Sequence, residues 1–118
     1  MSAFSTSAKN GMLDALTADR IRLHSGDPGA TGTSNAEGSL TAATFAAAAS
    51  SARALSSAVN FTGLGANQSV TWFSVWDNNS GSPLFLGRGE ITSGDVAANA
   101  AGEYTLTTAT ELQLNNPA

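Results

Sequence analysis

Apolar and polar residues alternate with a period of two over most of this chain, and with a helical period only near its start. Between Ser7 and Ala18, residues Met12, Leu13 and Leu16 fall on one helical face. That spacing predicts a short N-terminal helix with Ser7 as its cap. Gly11 weakens it, because Gly in a helix interior costs about 1 kcal/mol relative to Ala. The stripe is narrow, so the helix is expected to dock on something larger. In Arg20-Ile21-Arg22-Leu23-His24 the period changes. Ile21 and Leu23 point one way and Arg20, Arg22 and His24 the other, as in a half-buried strand. A loop rich in Gly, Pro, Ser and Thr follows over 25–39. Leu40 to Ala54 mixes an Ala content that favours helix with Thr41, Thr44 and Phe45, which favour strand. Strands around a turn at Ser50-Ser51 are the preferred reading.

Beyond Ala54 the pattern is an antiparallel series. Ala54 to Phe61 reads as a strand with Val59 and Phe61 on one face, and Gly63 to Asn67 as a turn. Val70 to Trp76 is apolar on both faces, which marks a central strand covered on both sides. A turn over 78–83 leads to a strand from Leu84 to Ile91, and Tyr104–Thr107 and Glu111–Leu114 alternate cleanly. Short strands separated by turn signals imply a mainly β fold, an antiparallel β-sandwich or jelly-roll-like domain with a short N-terminal helix. The expected organisation is one domain over 1–118, with an arm and helix at 1–19 and the β domain at 20–118. Trp72 and Trp76 share a face, as core or as a stacking platform for a sugar or a partner, and Phe73 and Val75 face the other way. Phe73 and Trp76 are the candidate interface aromatics.

Composition shifts the expectation from chemistry toward assembly. Charged residues are 12% of the 118, against roughly 25% in ordinary soluble domains. Ala, Ser, Thr, Gly and Asn fill the gap, and small side chains lose little entropy when a neighbour covers them. The net charge is −4, and no basic cluster interleaved with aromatics occurs. Nucleic-acid binding needs such a footprint, so that partner is not expected. There is no cysteine, which excludes thiol chemistry. The start lacks the charged and apolar pattern of a signal peptide, and the small-residue run from Ala42 to Ala54 is too polar and short to span a bilayer.

The single histidine, His24, lies near Ser25 and Asp27. Neighbours on a strand point to opposite faces, so Ser25 is badly placed to meet His24. No Gly-x-Ser-x-Gly elbow surrounds them. His24 is instead expected to anchor the loop through a hydrogen bond to backbone, and Asp27, before Pro28, to form an Asx-turn. The remaining acids are scattered without metal-ligand spacing. No catalytic residue, metal or cofactor is expected.

The run Leu23-His24-Ser25-Gly26-Asp27-Pro28-Gly29, with Gly32 and Asn35 after it, resembles the opening motif of small virion proteins of tailed bacteriophages. Those proteins are variously labelled head decoration, minor structural or tail fibre proteins. Their later Trp-Asp-x-x-x-Gly turn and Leu-rich strand are matched by Val75-Trp76-Asp77-Asn78-Asn79-Ser80-Gly81 and Leu84-Phe85-Leu86-Gly87, and their start by Leu13-Asp14-Ala15-Leu16. The chain departs from the pattern after Asn35, where Ala36-Glu37-Gly38-Ser39-Leu40 stands in place of Asn-Glu, paired Gly and an aromatic. The resemblance implies a non-enzymatic virion component assembled in the host cytoplasm. The leading expectation is an oligomeric capsid decoration (cement) protein bound to the major capsid protein. Its partner-binding loop would carry His24, Asp27, Pro28, Gly29 and Asn35. A tail or tail-fibre-associated protein is the alternative, and a carbohydrate-binding module a remote one.

Overall fold

Strand β1 (Arg20–His24) organises the fold, because its alternation leaves one wholly apolar face and its two edges both find partners. In the computed structural model, which describes residues 4–78, 82–92 and 94–113, it lies between β2 (Ala36–Ala42) and β5 (Trp72–Asp77). The sheet ends on β6 (Leu84–Glu90), in the order β2-β1-β5-β6, antiparallel throughout. Across β1 and β5, Ile21 faces Val75 and Leu23 faces Phe73. All four are buried, together with Leu13, Val59, Phe61, Val70, Tyr104, Leu106 and Leu112. Two short ribbons accompany this sheet: β3 (Ala52–Ala54) pairs with β8 (Glu111–Gln113), and β4 (Val59–Phe61) pairs with β7 (Tyr104–Leu106). The fold is therefore mainly β, with antiparallel sheets and one short N-terminal helix, as the strand spacing predicts. Each large apolar side chain taken fully out of water at this seam contributes about 1.5–3 kcal/mol.

Three boundaries differ from expectation. The helix α1 spans Thr6–Asp14 and is capped by Ser5, whose hydroxyl accepts the Ala8 N–H at 3.1 Å; Ser7 lies inside the first turn. The Gly-rich loop ends at Asn35 rather than residue 39, because Glu37 pairs with Leu23 and draws 36–39 into β2. The long strand expected over Ala54–Phe61 is two pieces, β3 and β4, that join different ribbons. Val59 and Phe61 are buried and Asn60 exposed, as their alternation requires. The turn at Ser50-Ser51 is present, with φ of 51° and 65°, and Ala49 bridges to Ala52 across it. Asn79–Gly81 of the expected turn and Leu114 of the last expected strand lie outside the described residues.

Helix α1 is held by its last turn. Leu13 is buried in the core, and Asp14 Oδ1 accepts the Ala48 N–H at 2.7 Å. The Arg53 guanidinium donates to the Leu13 and Leu16 carbonyls at 3.3 and 2.9 Å. The Leu13 carbonyl, which also accepts the Leu16 N–H at 3.2 Å, belongs to the last turn, where a cation complements the helix dipole. Among the described residues, no helix is long and apolar enough to cross a membrane.

Candidate functional site

The face of the sheet opposite the core carries Arg20, Arg22 and His24 on β1 and, across from them, Trp76, Ser74 and Trp72 on β5. Loop 25–35 folds back over this face. Its backbone is closed by Ser25 N–H donating to the Asn35 carbonyl (3.0 Å) and Ser34 N–H donating to the Pro28 carbonyl (2.9 Å). Asp27 Oδ1 accepts the Gly29 N–H at 2.9 Å, the expected Asx-turn, and Asn35 Nδ2 donates to the Asp27 carbonyl at 3.1 Å. Gly29 and Gly32 have φ of 79° and 72°, a region that costs side-chain-bearing residues about 1–2 kcal/mol. Gly32 also rests on the Phe85 ring: a Cβ there would lie 2.7 Å from the ring Cε1. Phe85 in turn packs on Trp76, ring centroids 5.3 Å apart.

His24 ties the loop to the sheet and is completely buried. Its Nδ1 lies 2.8 Å from the Ser34 carbonyl oxygen, which can only accept, so Nδ1 carries the proton. Nε2, 2.7 Å from Ser74 Oγ, is then the acceptor for the Ser74 hydroxyl. Ser74 Oγ itself accepts from Trp76 Nε1–H at 2.7 Å. The result is a chain of donors running Trp76 to Ser74 to His24 to Ser34 with every polar hydrogen placed. Burial, the largest influence, holds His24 below its usual pKa; the Ser34 carbonyl opposes this, Arg22 reinforces it, and Glu37 opposes it. A cationic His24 would have to donate from Nε2 as well, leaving the Ser74 hydroxyl proton without its acceptor.

The Ser74–His24 contact has the atoms of a Ser–His pair in a different setting. Ser74 and His24 are both fully buried, and the group orienting His24 is a backbone carbonyl rather than a carboxylate. Ser25, the serine adjacent in sequence, donates to Glu37 at 3.0 Å instead. The expected backbone anchor at His24 is what the geometry provides. Among the described residues, no group of three or more His, Cys, Asp or Glu side chains could hold a metal ion.

The loop residues expected to bind a partner divide in two. His24 and Pro28 form its buried underside, and Gly29 is half-buried, whereas Asp27 and Asn35 are exposed, together with Ala30, Thr31, Thr33 and Ser34. Asp27 meets Arg88 at 3.3 Å with both side chains largely in solvent, a pair of the kind that contributes about 0–1 kcal/mol. The interface role expected for Phe73 is overturned. It is 2% exposed and sits under Gly89 in the core, because pairing with β1 fixes β5 with Phe73 and Val75 on the Ile21–Leu23 side. Trp76 is likewise covered, at 8% exposure. Ser74, Ser34, Gly32 and Phe85 complete the site without having been expected there. Ser74 carried a readable signal, as the one hydroxyl in the otherwise apolar run from Trp72 to Trp76.

Compared with known proteins, the chain matches no family model, no curated protein and no solved structure.

Proposed function

We propose that this chain is a non-enzymatic structural protein of a phage particle, most simply a decoration protein that stabilises the head by binding across capsid subunits. The observation that carries this reading is the crown of loop 25–35: small, uncharged side chains at 30–34 held out on a backbone already fixed by His24, Pro28 and the Asx-turn. A loop ordered before it docks loses little conformational entropy on binding. The motif resemblance and the low charge of the whole chain support the same reading. The Ser74–His24 contact, the only Ser–His contact among the described residues, is sealed from solvent and supports no catalytic alternative.

The test is quantitative mass spectrometry of purified particles, joined to cryo-electron microscopy of the same sample. A copy number near that of the major capsid protein, with density arrayed on the shell, is the expected result. A few copies confined to the tail would favour the tail-associated alternative. Absence from the particle would overturn the virion reading. Removing residues 26–39 is a poor test, since 36–39 belong to β2. Replacing Thr31 and Thr33 with Arg changes only the exposed crown, and is expected to abolish docking while leaving the melting temperature unchanged.

A further inference from the structure

Strand β6 ends the four-stranded sheet, and the phase of its hydrogen bonds can be read directly. Ile91 N–H donates to the Thr71 carbonyl at 2.8 Å, in the same register as Trp72 opposite Glu90, Phe73 opposite Gly89 and Ser74 opposite Arg88. Backbone groups alternate along an antiparallel ladder. Gly89 and Gly87 therefore turn their N–H and C=O toward β5, and Arg88 and Glu90 turn theirs toward the open edge. No backbone group elsewhere among the described residues takes these up. The edge borders a cleft of about 330 Å³, lined by Arg88, Gly89 and Glu90 together with Thr110, Glu111 and Gln113 at β8. Glu90 is exposed, and its carboxylate makes no ion pair or hydrogen bond among the described residues.

From this arrangement we infer that β6 is a self-pairing edge, whose occupant is the β6 strand of a second copy of this chain, antiparallel about a two-fold axis through Gly89. In that register Arg88 of one copy stands opposite Glu90 of the other, twice. These are the two residues whose backbone groups point outward, so each pair closes both of its main-chain hydrogen bonds. Arg88 and Glu90 share one face of the sheet, so each guanidinium also meets a carboxylate directly across the strand gap. Gly89 falls on the axis, where its counterpart is another Gly and no side chains collide. A shift of one residue would break both the charge match and the backbone match. The sheets of two copies would join into one, as an isologous contact requires.

Analytical ultracentrifugation of the purified full chain tests this without any particle, so the outcome is independent of where the protein acts. The wild type is expected to dimerise with rising concentration. Glu90→Arg, which sets like charges opposite each other twice, is expected to weaken the dimer roughly ten-fold. The double variant Arg88→Glu/Glu90→Arg restores it, although Arg88→Glu alone gives up the contact with Asp27. Glu90→Pro removes an N–H that β5 does not use, so it should leave a folded monomer with the melting temperature of the dissociated wild type. A wild type that stays monomeric at the highest concentration reached, a dimer that survives Glu90→Pro, or a double variant no tighter than Glu90→Arg would each overturn the proposal.

Discussion

At His24 a single imidazole joins the sheet to its covering loop, and the tautomer it must hold makes that joint sensitive to acid. The folded chain keeps His24 below its ordinary pKa, chiefly through burial, while the unfolded chain takes up a proton near pH 6.5. As pH falls past about 6.5 the unfolded state binds more protons, so stability is lost progressively down to the folded value and is fully present above 6.5. Urea midpoints between about pH 8 and about pH 5 should fall on the acid side, and His24→Gln should flatten that slope. An equal slope in the variant would remove His24 as its source. Ser74→Ala strands two buried partners, the Trp76 N–H and His24 Nε2, and should cost about 1–3 kcal/mol in chemical unfolding. Gly32→Ala combines a left-handed backbone with intrusion on Phe85 and should cost roughly 2–4 kcal/mol. The Asx-turn at Asp27 was legible in the sequence because it depends on near neighbours, and the anchoring role of His24 because it stands where the strand meets the loop. Ser34 and Ser74 were not, being brought to His24 by the loop's return and by the β1–β5 register.

At the level of elements, alternation named the strands but not which face of β5 was core. Val70–Trp76 is apolar at almost every position, so its own pattern is silent on orientation. The choice came from β1, where Ile21 and Leu23 leave no doubt, once the two strands were paired. The split of Ala54–Phe61 into two pieces was equally hidden, since it reflects partners some fifty residues further along the chain. Helix α1 illustrates the converse: its narrow stripe predicted docking, and the structure supplies the means in Arg53. The guanidinium donates to Leu13 and Leu16 at the helix end and to the Ala46 carbonyl at 2.9 Å. Arg53→Met keeps the aliphatic stem but loses these bonds, and about 2 kcal/mol is the expected cost. The effect should be local. Hydrogen exchange should accelerate across 6–14 more than in the β1–β5 core, and uniform acceleration would show that the helix is not separately held.

Considered whole, the molecule has few means of long-range attraction. Five basic residues and nine acidic ones are spread over 118 positions, and the loop crown at 30–34 carries no charge. A protein docking through such a surface depends on close packing and exclusion of water, contacts that salt screens little. On the proposed role, rebinding of purified protein to particles stripped of it should therefore change less than about two-fold between roughly 0.05 M and 0.5 M salt. The same docking should show a negative heat-capacity change from burial of apolar atoms. Thr31→Arg/Thr33→Arg serves as the internal contrast, because any residual binding by a charged crown would acquire a salt dependence that the wild type lacks. Steep weakening of the wild type with salt would mean that the contact is made by the acidic residues instead. The crown would then be a cover for His24 and Trp76 rather than the docking surface.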